Sequence, residues 1–300
     1  MINTKLIKME ENEAFALEMA SKIWKDGGLV AFPTETVYGL GANGLDEQAA
    51  VKIYAAKGRP SDNPLILHIA QKRQVRPLVK EISKVGEQLM DTFWPGPLTL
   101  IFPKADCVPY KTTGGLDTVA IRMPSHPQAR KLLEAVQLPI AAPSANLSGR
   151  PSPTTANHVW EDMNGRIDLI VDGGAVGIGV ESTIIDLTEE VPTILRPGYI
   201  TKEMLEAIVG EVKIDPAIMG VLRPDIHPKA PGMKYRHYAP KAPVILVEGK
   251  TDAVIHFING QMQERGVNTV GVIATEETKE RYQGGIVKCI GSRSDMESVA

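Results

Sequence analysis

Four cations stand where the chain is expected to change direction. Lys57 and Arg59 flank Gly58, Arg122 closes the run TVAIR, and Arg196 precedes Pro197-Gly198. An arginine fork suits phosphate or carboxylate, and a charge-assisted hydrogen bond is worth roughly 1.5–3 kcal/mol. Any one of these side chains would by itself read as a solvated or salt-bridged surface residue. Four at predicted loop mouths favour an anion site, with phosphate as the first guess. Small hydroxyl and amide groups lie near glycines in Ser144-Ala145-Asn146, Ser148, Ser152 and Ser182-Thr183, and Thr34, Glu35, Thr36 and Tyr38 crowd an earlier loop. Such loops can hold phosphate through backbone N–H groups, although turns use the same residues. His68 sits inside the apolar run 65–69, a half-buried histidine by default and a substrate ligand as the sharper option. No Gly-Lys-Ser/Thr phosphate loop, HExxH, Ser/His/Asp order or paired-carboxylate pattern occurs, and Gly39-Leu40-Gly41 is too little for a dinucleotide fingerprint. The expected chemistry is therefore anion binding and positioning, without a covalent protein nucleophile.

These residues need elements to carry them. Strand-like runs at 29–32 and 65–69 bracket the first two polar loops, with a helix between them capped by Asp46 and ending at Lys57-Gly58. A helix over 11–25, capped by Asn12, precedes them, and helical stretches at 73–79 and 83–93 follow. Strands are predicted at 98–102, 118–122 and 138–142, a helix at 127–136, and the Ser144 loop after it. Helix 155–163, strands 169–172, 183–187 and 193–196, and helix 201–209 complete the pattern. Alternating strands and short helices imply an α/β fold with a twisted, largely mixed open sheet. From 211 to 242 proline and glycine recur with little periodicity, as in an interdomain linker, yet Lys234, Tyr235, Arg236, His237 and Tyr238 give it functional character. A second α/β unit of Rossmann-like pattern is predicted over 243–300: strand 244–247, helix 251–265, strand 269–273, helix 276–283 and strand 286–289. This unit is expected to be partial.

Three hundred residues with 43% hydrophobic and 23% charged side chains can bury a sizeable core. The formal net charge of -3 lacks the basic surplus expected of an obligate nucleic-acid binder. Cys107 and Cys289 stand alone, which offers neither a disulfide framework nor a zinc site and fits a reducing compartment. With a polar, acidic start and no bilayer-length apolar run, the expectation is a cytoplasmic protein with no membrane partner.

Read together, PTETVYGLG, KGRPSDNPL, the Ser144-Ala145-Asn146 loop, ESTIID and MKYRHYAP closely resemble the YrdC-type threonylcarbamoyl-AMP synthases in their two-domain form. Five separated motifs in one order, covering nearly the whole chain, make the resemblance specific. It implies a nucleotidyltransferase that converts L-threonine, bicarbonate and ATP, with Mg²⁺ expected, into threonylcarbamoyl-AMP and pyrophosphate for the tRNA N6-threonylcarbamoyladenosine modification. It also implies an L-threonine-binding set of Thr36, His68, Arg122, Ala142 and Ser182. The implied ATP-binding set is Lys57, Arg59, Asn63, Thr118, Ser144, Ser152, Arg196 and, from the linker, Tyr235. No protein metal ligand and no catalytic nucleophile is implied. The expected domains are 1–210, catalytic; 211–242, a linker covering the active site; and 243–300, the partial C-terminal unit. The product would pass to a tRNA threonylcarbamoyl-transferring complex, with a weak RNA contact left open. Two other readings compete. One is a different carbamoyl-adenylate-forming enzyme, disfavoured because hydrogenase-maturation relatives carry zinc-finger parts. The other is an RNA-binding module, disfavoured by the charge.

Overall fold

A computed structural model describes residues 2–218, 242–295 and 298–299. Two compact units emerge, Met1–Ala239 and Pro240–Ala300. The first opens with β1 (Lys5–Lys8), α1 (Glu13–Lys25), β2 (Val30–Phe32), β3 (Gly39–Asn43), α2 (Glu47–Lys57) and β4 (Ile66–His68). Next come α3 (Lys84–Phe93), β5 (Leu98–Pro103), α4 (Tyr110–Thr113), β6 (Thr118–Arg122), α5 (Pro127–Val136) and β7 (Ile140–Ala141). It closes with α6 (Ala156–Met163), β8 (Leu169–Asp172), β9 (Thr183–Asp186), β10 (Thr193–Arg196), α7 (Lys202–Val209) and β11 (Lys213–Ile214). The eleven strands form one sheet in the order β1-β8-β2-β3-β7-β4-β6-β5-β9-β10-β11. Parallel pairs such as β4–β6 alternate with antiparallel ones such as β5–β6, so the sheet is mixed, as expected.

The two faces are covered unequally, and this makes room for a site. On one face Leu40, Ala42, Leu67, Leu100, Ile121 and Ile185 pack under buried residues of α2, α3, α6 and α7. On the other, Trp24, Ala129, Leu132 and Leu133 of α1 and α5 cover Val30, Phe32, Ile140 and Leu169. That cover stops near β7. Beyond it, Ile66, Ile101, Ala120, Ile184 and Leu195 form a separate small apolar floor to which no helix contributes among the described residues. Because side chains alternate across a sheet, register decides which polar residues share this floor. His68 is level with Arg122, and Arg122 with Thr99.

Local sequence explains most elements. Asn12, Asp46, Ser83, Thr155 and Thr201 each accept a backbone N–H at a helix start. Gly58 ends α2 in the left-handed region at φ 60, which turns the chain towards Arg59. Three expectations change. The helix predicted over 73–79 is a pair of 3₁₀ turns, Lys72–Gln74 and Arg76–Leu78, broken around Pro77. β3 forms where loop was expected, and β1 forms in the polar start, for which no element was predicted. The boundary expected at 210 falls inside the sheet, because β11 pairs with β10 just past it.

In the second unit α8 (Thr251–Arg265) packs Met262 against Val272 and Ala274 of β12 (Gly271–Ala274), which pairs in parallel with β13 (Ile286–Cys289). The strand predicted over 244–247 is irregular and exposed, having no ladder partner among the described residues, and the helix predicted over 276–283 shrinks to the turn Lys279–Arg281. Among the described residues no helix is long and apolar enough to cross a membrane.

Candidate functional site

The polar residues meet in one cleft over the apolar floor. Its lining includes Thr34, Thr36, Arg59, Ile66, His68, Arg122, Ala142, Ser144, Glu181, Ser182 and Arg196. All five residues of the expected threonine set line it, as do Arg59, Ser144 and Arg196 of the nucleotide set.

Arg122 ends β6 and is almost fully buried. Its Nη1 donates to Thr36 Oγ1 at 2.9 Å and its Nε to the Gly96 carbonyl at 3.4 Å. Its Nη2 lies 2.7 Å from Glu35 Oε1, an ion pair set off the axis of a good hydrogen bond. Burial pushes the Glu35 carboxyl up, but the adjacent guanidinium more than offsets this and holds it below its ordinary value. Thr34 Oγ1 accepts the backbone N–H groups of Thr36 and Val37 and lies 3.0 Å from Thr36 Oγ1, so the loop carrying Glu35 and Thr36 is internally braced. The glycine-rich stretch after β8 ties to it from above, with Ile178 N–H on the Glu35 carbonyl and Gly179 N–H on that of Thr36.

His68 is buried and its ring meets Phe32 edge-on at 6.1 Å. Burial, helped by the Arg122 charge, lowers its pKa to about 3, so the ring is neutral. Nδ1 donates to the Ile66 carbonyl at 3.1 Å, which leaves the Nε2 lone pair as an acceptor.

Across the floor, Arg196 sits at a β-bulge. Ile194 pairs with Ile185 but Arg196 with Ile184, so Leu195 is the extra residue. The bulge turns both Leu195 and Arg196 to the cleft side of the sheet, Leu195 into the floor and Arg196 over it. Arg196 Nε and Nη2 donate to the Ser182 carbonyl and Oγ, each at 3.0 Å. Ser182 Oγ lies 2.7 Å from Thr99 Oγ1. Gly198 lets the chain come back against this strand: a Cβ there would lie 2.5 Å from both Glu181 O and Thr183 N.

Four expected nucleotide residues are not part of the cleft lining. Lys57 is buried, and its Nζ donates to the carbonyls of Ser144 at 2.5 Å and Asn146 at 2.6 Å. Burial, reinforced by the Arg59 charge, drives its pKa well below 10.5. It clamps the Ser144 loop and is not part of the cleft lining. Asn63 is buried, and its carbonyl accepts from Tyr54 Oη at 3.1 Å and Arg59 Nη2 at 3.4 Å, bracing the second loop. Ser152 Oγ donates to Glu181 Oε1. Thr118 starts β6, four residues before Arg122 on the same face. Tyr235 and its neighbours lie outside the described residues. Glu35 and Glu181 carried no role in the sequence reading; their only signal was membership of the motifs that carry Thr36 and Ser182. Among the described residues no group of three His, Cys, Asp or Glu side chains could hold a metal.

The chain's similarities can now be set beside this geometry. The Sua5/YciO/YrdC family model, described as telomere recombination, matches residues 22–198. A model described as the C-terminal domain of threonylcarbamoyl-AMP synthase matches residues 200–300. The threonylcarbamoyl-AMP synthase of Pyrococcus abyssi is 55% identical over 269 residues, covering 89% of this chain and 78% of that relative. That of Bacillus subtilis is 50% identical over 285 residues, covering 95% and 81%. Among solved structures, P. abyssi Sua5 complexed with L-threonine matches with a TM-score of 0.87 at 50% identity, covering 100% of this chain and 85% of that one. Escherichia coli YciO matches with a TM-score of 0.59 at 26% identity, covering 66% and 97%.

Proposed function

The chain belongs to the Sua5/YciO/YrdC family of threonylcarbamoyl-AMP synthases, and from this premise we propose how its cleft divides the substrates L-threonine, bicarbonate and ATP. The carrying observation is that Arg122, Thr36 and His68 line a single cleft together with Arg59, Ser144, Glu181, Ser182 and Arg196. Arg122 takes the threonine carboxylate, because it lines the cleft and its guanidinium is held in place by Thr36, Gly96 and Glu35. Thr36 and the neutral His68 Nε2 supply hydrogen bonds to the amino acid, Ala142 packs against it, and Ser182 lies between amino acid and nucleotide. Arg59, Ser144 and Arg196 meet the nucleotide phosphates, and Thr118 its far end. Lys57, Asn63 and Ser152 act one step back, by fixing the loops and Glu181. Tyr235 is assigned to the nucleotide on the motif MKYRHYAP alone.

The reaction asks for positioning. The threonine amine and bicarbonate give a carbamate and water; a carbamate oxygen then attacks the α-phosphorus of ATP and pyrophosphate departs. Each step moves negative charge towards fixed guanidinium groups, which stabilise it without a protein nucleophile. Magnesium enters with ATP, since Glu181 is the single carboxylate lining the cleft among the described residues. The adenylate would then pass to an enzyme that transfers the threonylcarbamoyl group to tRNA. Pyrophosphate release by the purified protein tests this reading. It should require ATP, L-threonine and bicarbonate together, and release that ignores threonine or bicarbonate would sink it.

A further inference from the structure

Glu35 does more than help hold the substrate arginine, because it is a buried carboxylate paired with it. The Glu35 and Arg122 side chains are 11% and 5% exposed, and 2.7 Å separates Oε1 from Nη2. Glu35 does not itself line the cleft, while its neighbours Thr34 and Thr36 do. The other titratable groups that feel Glu35 are His68 and His126, both pushed towards the neutral form by burial. The receptor for the amino acid is thus a +1/−1 pair in a poorly solvated place.

We propose that Glu35 is a specificity-determining residue: by neutralising Arg122 it makes this end of the cleft fit a zwitterionic α-amino acid and disfavour a carboxylate that lacks the ammonium group. The proposal rests on the assignment of Arg122 to the threonine carboxylate. A carboxylate entering beside this neutral pair finds no net local cation, Arg59 and Arg196 being assigned to the phosphates, and its burial is costly. A zwitterion brings its own balancing cation and leaves the site neutral. Removing the Glu35 charge weakens the preference, because Arg122 then stands as an unpaired buried cation that any small anion neutralises. Glu35 thereby screens out organic acids that share threonine's hydroxyl and carboxylate but have no nitrogen to carbamoylate.

The test is equilibrium binding of L-threonine and of 3-hydroxybutanoate, which is threonine without its amino group. The wild-type protein should prefer L-threonine, and Glu35→Gln should narrow that preference at least about tenfold, while Glu35→Asp, which keeps the charge, should retain it. An unchanged ratio in Glu35→Gln, or a parallel loss of both ligands with ATP still bound, would overturn the proposal. Should Glu35→Gln fail to fold, the wild-type protein still decides, because equal binding of the two ligands to it also overturns the idea. A wild-type protein that binds ATP but not L-threonine would refute the assignment of Arg122, a different failure from an unchanged selectivity.

Discussion

At Lys57 and Arg59, two residues apart, similar charges serve different ends. The Lys57 ammonium is occupied by the Ser144 and Asn146 carbonyls, whereas the Arg59 side chain reaches the cleft lining. Lys57→Met should therefore cost about 2–4 kcal/mol of stability by leaving buried acceptors unpaired, and should weaken ATP binding through the loosened loop. Arg59→Ala should lower activity at least about tenfold at a smaller stability cost of about 1–2 kcal/mol. Urea unfolding beside pyrophosphate release checks the contrast, and full activity in Arg59→Ala would remove it from the site. His68 makes a separate prediction. Its folded pKa of about 3 lies below the ordinary 6.5, so the unfolded chain binds the extra proton. The resulting stability is fully present above pH 6.5 and is lost as pH falls from there towards 3. Between pH 7.5 and 4.5 this amounts to about 2–3 kcal/mol. His68→Gln should unfold in urea with a correspondingly flatter pH dependence; an unchanged slope would contradict a buried neutral ring.

Among the elements, the return of the chain at Gly198 and the bulge at Leu195 together place Ser182 and Arg196. A methyl group at Gly198 would collide with main chain on both sides of Ser182, and main chain cannot rotate away. Gly198→Ala is expected to destabilise by about 2–4 kcal/mol and to weaken both substrates, since Ser182 and Arg196 move together. Measured urea midpoints and separate binding isotherms for ATP and L-threonine check this; unchanged isotherms would show that the approach is not needed for the site. Helix caps and strand runs were legible because they are local: Asp46, Asn12 and the apolar runs around Ile66 and Ile121 announce themselves. β3, with sequence GLGAN, was not. Its glycines look like a loop, but Gly41 faces Ile140, Phe32 and Trp24, where a Cβ would lie 2.7–3.1 Å from those side chains. The strand exists because a close approach demands it, which no local propensity reports.

For the whole molecule, β11 shifts the place at which the catalytic unit can be cut. A truncation after Val209 removes a strand of the sheet and the core residue Val212, so its failure would be ambiguous. A protein ending at Ile218 keeps all eleven strands. It should show native-like circular dichroism yet lose at least about tenfold in pyrophosphate release if the linker bearing Tyr235 completes the nucleotide site. A folded, fully active 1–218 protein would refute that role.

The sequence by itself determined the α/β class and most helix limits. These follow from periodicity, capping and residue chemistry, which act over a few positions. Which cations line the cleft was decided by the tertiary structure alone. Strand register sets His68 and Arg122 side by side, the bulge turns Arg196 inward, burial silences the His68 charge, and Lys57 is drawn to carbonyls that lie far along the chain. The motifs around Thr36 and Arg59 carry residues of one cleft lining, while the fold sets Glu35 against Arg122 and Lys57 against the Ser144 loop.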